Sequence, residues 1–146
     1  SELLCDQSTT QYIGGPYSIP KIKRRLLTEA VILRLHHIQY WPVFLLHTNE
    51  FIGYCGLRPN KPLERICEIG VCIKPVFWGK GYAEEAAQTI IDYAFQVLDT
   101  QAITAVHNPL NVYSKKLLER LHFQYSHEEY SFKTNQYDPS YILLRR

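Results

Sequence analysis

The feature of this sequence that most restricts its fold is a glycine-rich segment, WGKGYA at residues 78–83. It follows an apolar run at residues 65–74 that is rich in Ile, Val and Cys and is followed by a proline, which predicts a strand. After the glycines, apolar residues recur at helical spacing as far as residue 98, and the first of them are alanines. Another apolar run lies at residues 102–107. The sequence therefore predicts a strand–helix–strand unit whose two strands are parallel neighbours.

The remaining elements indicate a mixed fold. Ser18 and Pro20 predict the start of a long amphipathic helix over residues 21–39. We also predict a hairpin of two strands, a short helix, and two final strands separated by a polar loop. These elements cover residues 41–47, 51–58, 111–121, 123–126 and 141–144, with the loop at 133–140. The order predicts one α/β (α+β mixed) domain over residues 1–146, with a partly antiparallel sheet and helices on its faces.

Charge and composition exclude several classes of function. The formal net charge is +2, and the one basic cluster, residues 21–25, fits the solvated face of a helix, so we expect no nucleic-acid partner. No apolar stretch approaches the ~18 residues that a membrane span needs, so we expect no membrane partner. The six histidines lack ligand spacing, so we expect no metal. The four cysteines are scattered and three lie in apolar runs, which is typical of reduced core residues in a cytoplasmic protein.

The glycine-rich segment is chemically suited to a phosphate group. Glycines let the backbone approach an anion, and the first N–H groups of a helix have no internal partner and carry partial positive charge. Lys80 precedes the second glycine and no Ser or Thr follows it, so the segment is not a Walker loop. A dinucleotide site would need an acidic residue at the end of a second strand, whereas Asp99 lies at a helix end. Taken alone, the glycines are also compatible with a turn that binds nothing.

Residues 68–95, which begin EIGVCIKPVFWGKGYAEEA, resemble the acetyl-CoA-binding motif of the GNAT superfamily of N-acetyltransferases. Within that superfamily they are most similar to the branch of the ribosomal-protein alanine acetyltransferases. Gly81 and Ala83 match the family pattern, while Trp78 stands where Arg or Gln is commonest.

A second block, NVYSKKLLERLHF at residues 111–123, resembles the family's Asn-x-x-Ser helix. His122 replaces the usual glycine of this block, so we expect a strained or altered turn there. Weaker similarities lie at residues 12–16 and between Asp138 and Tyr141. The chain has no methionine, and the strand with which the family usually begins is absent from the sequence, so we expect a domain that lacks its first strand.

The resemblance implies a GNAT-like fold: a mostly antiparallel mixed sheet, helices on both faces, and a splayed pair of parallel strands at residues 65–74 and 102–107. It also implies acetyl-CoA as co-substrate, bound in the gap between those strands. The backbone of two strand residues would pair with the pantetheine arm, and the glycine segment would hold the pyrophosphate. The implied cofactor-binding residues are Val71, Ile73, Trp78, Gly79, Lys80, Gly81, Tyr82, Ala83, Asn111 and Ser114.

Three residues are candidates for catalysis of direct acetyl transfer to an amine. Glu68 is a carboxylate inside an apolar strand, where such a group is either paired or functional. The family also places a glutamate there, so Glu68 is the candidate base, the alternative being an exposed or ion-paired strand residue. Ser114 is favoured over Tyr113 as the group that assists the departing thiolate, although a helical serine often bonds its own backbone.

The resemblance implies a primary amine as acceptor, either a peptide N-terminus or a small molecule, and is compatible with a homodimer. A second hypothesis is a regulatory domain that binds acyl-CoA but has lost the chemistry, because Trp78 and His122 depart from the family pattern. A dinucleotide-binding protein is the third. The identity of the acceptor is not encoded in any readable motif.

Overall fold

The computed structural model describes residues 18–146. The expectations about residues 12–16 and the missing first strand lie outside the described residues. Helix α1 (Ile19–His36) begins where the sequence predicts, because the Ser18 side chain accepts a hydrogen bond from the Lys21 amide at 3.4 Å. It ends at His36, three residues earlier than expected, because the cap residue His37 adopts a left-handed conformation.

The strands and helices then follow in the order that the sequence predicts. Strands β1 (Tyr40–Phe44), β2 (Phe51–Lys61) and β3 (Ile66–Ile73) form an antiparallel meander. Two short 3₁₀ turns, Pro62–Glu64 and Pro75–Phe77, flank β3. The second turn is followed by α2 (Tyr82–Gln96), β4 (Ala102–Val106), α3 (Val112–Arg120), β5 (Gln124–Ser131) and β6 (Gln136–Leu144).

The described part of the chain forms one sheet in the order β1-β2-β3-β4-β6-β5. All neighbouring pairs are antiparallel except β3 and β4, which are parallel as predicted. The parallel register begins at Ile66 opposite Ala102 and ends at Glu68 opposite Thr104. Because β3 continues to Ile73 without a partner on that side, the two strands diverge beyond Glu68, and the expected splayed pair is present.

Helices cover both faces of the sheet. Helices α2 and α3 pack on one face, where the core includes Leu57, Ile69 and Ile103 from the strands and Ala87 and Leu118 from the helices. Helix α1 lies on the opposite face. Ala87 is fully buried, which fits the predicted close approach of the alanine-faced helix to the sheet.

The last hairpin differs from the prediction. The polar segment at residues 133–140 was expected to be a loop, but strand β6 begins at Gln136, and β5 continues to Ser131. Phe123, expected to open a strand, is instead buried in the turn that follows α3. Sequence periodicity did not predict this hairpin, because nearly all of β5 is exposed and no alternation of polar and apolar residues marks it.

Candidate functional site

The glycine loop adopts the backbone that its sequence requires. Gly79 and Gly81 have φ angles of 77° and 81°, in the left-handed region that disfavours side chains. A Cβ atom added to either residue would meet nothing within 4 Å. The glycines therefore serve the backbone conformation, and the space beside them is open.

The amide groups of this loop are available to an anion. The Trp78 amide donates to Pro75 O at 3.1 Å, and the first bond of α2 runs from the Glu85 amide to Gly81 O at 3.1 Å. Between them, the amides of residues 79–84 donate to no other described residue. A helix start carries partial positive charge, so this open row of N–H groups fits a pyrophosphate. The side-chain carboxylate of Glu84, in the first turn of α2, pairs with Arg120 at 3.1 Å, outside this row of amides.

Trp78 fixes the loop to its surroundings. Its indole Nε1 donates to Ile73 O at 2.7 Å, and its ring lies 5.3 Å from the Tyr113 ring at an angle of 44°. The residue that departs from the family pattern therefore joins the end of β3 to the first turn of α3. It brings together two of the candidate residues, Trp78 and Tyr113.

The edge of β3 beyond Glu68 faces the gap. The Lys74 amide donates to Ile52 O at 2.8 Å on the β2 side. Because backbone groups alternate in direction along a strand, those of Ile73 and Val71 point to the opposite side, from which β4 has diverged. Ile73 O already accepts the Trp78 indole, and a carbonyl retains a second lone pair.

Glu68 lies where the two parallel strands separate. It is half-buried on the central strand β3, so it is not a residue of an exposed sheet edge. Among the described residues it forms no ion pair: Arg65, one expected partner, pairs with Asp99 at 2.5 Å. Burial raises the pKa of Glu68, and the nearby Glu129 raises it further, whereas Lys133 and Arg58 lower it. A carboxyl group whose pKa is raised is a better proton acceptor near neutral pH.

The start of α3 holds the other candidates. The side chain of Asn111 caps the helix, since its Oδ1 accepts the Ser114 amide at 3.1 Å, which leaves the amide nitrogen of that side chain as a donor. The Ser114 hydroxyl has no hydrogen-bond partner among the described residues, so the expected alternative, a bond to its own helix, is not formed there. Tyr113 is 66% exposed beside Trp78.

The candidate catalytic residues Glu68 and Ser114 lie on opposite faces of the sheet. Glu68 is the register partner of Arg58, which pairs with Glu29 of α1, so both strand side chains lie on the α1 face. Ser114 belongs to α3, which packs on the opposite face. Glu68, the candidate base, and Ser114, the candidate thiolate donor, therefore belong to opposite faces of the sheet.

A cluster of aromatic and charged side chains on the α1 face was not predicted from the sequence. The Tyr40 ring occupies the space that a side chain at Gly70 would fill: a Cβ there would lie 2.9 Å from the Tyr40 hydroxyl. Tyr40 stacks on Tyr54 at 5.3 Å, and Arg58 lies 4.9 Å from its ring centre. Burial raises the pKa of Tyr40 to about 12, so its hydroxyl stays protonated at neutral pH. No motif marks this cluster, because only the strand register brings it together.

The other reactive side chains lie elsewhere. His107 is buried, and its Nε2 is 3.4 Å from the Tyr141 hydroxyl, so it is a core histidine. It borders a cavity of about 430 Å³ with Lys115 and Glu128, and none of the candidate site residues lines that cavity. Burial raises the pKa of Cys55 to about 12, and that of Cys67 is also raised, which is typical of unreactive thiols.

Two further findings concern residues 18–146. They contain no group of three or more His, Cys, Asp or Glu side chains arranged to hold a metal ion. No helix within this range is long and apolar enough to cross a membrane.

Comparison with known proteins agrees with this geometry. The sequence profile of the acetyltransferase (GNAT) domain matches residues 1–124. The chain is 40% identical over 130 residues to the uncharacterized N-acetyltransferase p20 of Bacillus licheniformis, which covers 85% of this chain and 73% of the relative. Two relatives from Bacillus subtilis are matched over only 52% and 47% of their own lengths.

Solved structures show the same fold. A spermidine N-acetyltransferase from Vibrio cholerae, in complex with CoA and spermine, superposes with a TM-score of 0.82 at 20% identity, over 99% of this chain and 86% of that one. RimL, a ribosomal L7/L12 alpha-N-protein acetyltransferase in an apo crystal form, superposes with a TM-score of 0.82 at 16% identity, over 98% and 81%. At these identities the likeness concerns the fold alone.

Proposed function

Because this chain belongs to the GNAT family of acetyltransferases, which use acetyl-CoA as acetyl donor, we propose that it transfers acetyl groups directly to a primary amine, with Glu68 as base. The observation that carries the proposal is the position of Glu68 at the point where β3 and β4 separate. There a carboxylate that forms no ion pair with any described residue borders a gap whose other end leads to the open row of amides at residues 79–84.

The binding roles follow from where the donors point. The amides of residues 79–83 would hold the pyrophosphate of acetyl-CoA, and the backbone of Val71 and Ile73 would pair with the pantetheine arm. The side-chain N–H groups of Asn111, which donate to no described residue, are suited to a contact from the α3 side. When bound, acetyl-CoA supplies the activated thioester, and the Val71 N–H is suited to bind its carbonyl oxygen as negative charge develops there.

Residues on opposite faces of the sheet would carry out the two proton-transfer roles. An amine arrives mostly protonated, and Glu68, with its raised pKa, would take that proton directly or through a water on the α1 face. Ser114 would donate a hydrogen bond to the departing thiolate, since its hydroxyl has no other described partner. Tyr113 is the second candidate for this role and packs against Trp78.

The acceptor class is a peptide N-terminus or a small-molecule amine. Fold relatives act on both kinds: one is named for spermidine and another for a ribosomal protein. A homodimer and a cytoplasmic location are also proposed, on the family resemblance and the scattered cysteines respectively.

The test is a turnover assay with acetyl-CoA and a panel of spermidine, alanine-initiated peptides and serine-initiated peptides. Product mass and released CoA thiol are both measured. Glu68→Gln is expected to lower kcat/KM at least ~100-fold, as loss of a general base does. Ser114→Ala is expected to lower kcat, and Glu50→Gln, which alters an exposed glutamate in the β1–β2 turn, serves as matched control.

Two outcomes would contradict the proposal. Full turnover in both Glu68→Gln and Ser114→Ala would remove these residues from the mechanism. Tight acetyl-CoA binding without acetylation of any amine would favour the second candidate function, an acyl-CoA-binding regulatory domain. That alternative is motivated by the departures from the family pattern at Trp78 and His122.

A further inference from the structure

A carboxylate of α1 joins that helix to two strands beside the candidate base. One oxygen of Glu29 binds the Arg58 guanidinium, and the other accepts the Tyr40 amide at 3.2 Å. The Glu29 side chain is 12% exposed and the Arg58 side chain 25%, so this is a largely buried pair. Arg58 also lies over the Tyr40 ring at 4.9 Å. Its guanidinium is therefore held against Glu29 and the Tyr40 ring.

The register makes this choice of ion-pair partner unexpected. Arg58 and Glu68 are direct partners in the antiparallel pair β2–β3, and side chains at such positions lie side by side on one face. Opposite charges so placed ordinarily pair across the strands. Here Arg58 forms its ion pair with Glu29 instead, and Glu68 forms none with any described residue.

We propose that Glu29 is a positioning residue, which holds the Arg58 guanidinium away from Glu68 and so leaves the Glu68 carboxylate free to accept the proton of the acceptor amine. This inference rests on the proposed role of Glu68. If Glu29 released Arg58, the guanidinium would be free to turn to its register partner and stabilise the Glu68 carboxylate, which would make Glu68 a weaker base.

The other charges around Glu68 come from several elements. Tyr40 faces it from β1 and stays neutral, while Glu129 of β5 raises its pKa. Lys133, in the turn between β5 and β6, lowers it, and so does Arg58, whose effect is the smallest of those acting on Glu68. Thr104, its neighbour on β4, does not ionise. Arg58 is thus the register partner of Glu68, but the ion pair that it forms is with Glu29.

The direct test is a pH titration of the Glu68 carboxyl by ¹³C NMR of protein labelled at glutamate Cδ, with the Glu68→Gln spectrum providing the assignment. In Glu29→Gln the titration midpoint of Glu68 is expected to fall by about one pH unit, the lower end of what a nearby opposite charge does. In the double variant Glu29→Gln/Arg58→Gln, which removes both charges, the midpoint is expected to return to the wild-type value or above. Glu50→Gln is the control and leaves it unchanged.

A merely structural role for Glu29 predicts a different pattern. Loosening α1 would shift the Glu68 midpoint in the same direction in the single and double variants, and that result would overturn the proposal, as would no shift in either. If Glu29→Gln does not fold, Glu29→Asp retains the charge but shortens the side chain, and a smaller downward shift is expected.

Kinetics separate this proposal from the assignment of Glu68 as base. With whichever amine of the panel is acetylated, the acidic limb of the kcat/KM profile should move to lower pH in Glu29→Gln and back in the double variant. Because the titration of the amine is common to all variants, it cancels in these differences. If the NMR midpoints move as expected while Glu68→Gln keeps full turnover, the positioning of Arg58 stands and the catalytic role of Glu68 fails.

Discussion

His122→Gly should stabilise the protein. His122 replaces the glycine that the family carries, and the structure places it at φ 68°, in the left-handed region. The turn is complete despite this. The His122 amide donates to Glu119 O at 3.1 Å and the Phe123 amide to Leu118 O at 3.0 Å, the two bonds of a Schellman helix end. The strain expected at this turn is therefore limited to the left-handed backbone of His122.

The size of the effect follows from opposing contributions. A left-handed conformation costs a residue with a side chain about 1–2 kcal/mol, and histidine is among the types that tolerate it better. Replacing His122 by glycine removes this cost, but glycine also increases the conformational freedom of the unfolded chain. That second effect opposes the first by about 0.4–1 kcal/mol. His122 is exposed, so little packing is lost. The net gain should be about 0.5–1 kcal/mol, which corresponds to a rise in Tm of roughly 1–4 °C.

Thermal unfolding followed by circular dichroism measures this shift. The matched control is Lys116→Gly, an exposed position inside the same helix with right-handed backbone, where glycine should cost about 1 kcal/mol. The two substitutions should therefore change Tm in opposite directions. A lower Tm for His122→Gly would refute the reasoning, because it would mean that the imidazole contributes more than the backbone conformation costs.

Further predictions concern the cofactor loop, the α3 cap and a buried acid. Gly81→Ala should weaken acetyl-CoA binding at least ~10-fold by calorimetry, because its Cβ would enter the open cradle and its backbone would be strained; unchanged affinity would place the anion elsewhere. Asn111→Ala should lower stability by about 1 kcal/mol in urea unfolding, since it removes a helix cap, and an unchanged midpoint would contradict that role. Burial raises the pKa of Asp138, so the folded state retains a proton where the unfolded state has lost it, and stability should fall as pH rises through that range. Asp138→Asn should flatten this dependence in unfolding experiments across pH, and an identical profile would argue against it.

The elements with strong periodicity were predictable from the sequence. The helix after the glycines follows from its repeating apolar positions, and α1 from the serine at its start. The parallel pairing of β3 and β4 follows from the strand–helix–strand order, as the register at Ile66 and Ala102 confirms. Local pattern was sufficient there because each element buries one face.

The parts that were missed depend on contacts between distant residues. Strand β5 is exposed on both faces, and its place is set by pairing with β6 and by ring contacts such as Tyr130 with Tyr137 at 5.3 Å. The Glu29–Arg58 pair joins residues 29 positions apart in the chain. Neither leaves a periodic signal in the sequence.

The predicted site residues also differ in how far the sequence alone could identify their roles. Gly79 and Gly81 were recognisable from the motif because backbone conformation selects glycine directly. The surroundings of Glu68 required the register, which places it opposite Arg58 and at the divergence of β3 and β4.

The central claim is that the amides of residues 79–83 bind the pyrophosphate of acetyl-CoA. The most direct measurement is calorimetric titration of the protein with acetyl-CoA and, separately, with S-acetylpantetheine, which carries the same thioester but no pyrophosphate. We predict saturable binding of one acetyl-CoA per chain and binding of S-acetylpantetheine that is weaker by at least ~100-fold, the loss of about 2.7 kcal/mol. Equal affinity for the two compounds, or no binding of acetyl-CoA, would contradict the account.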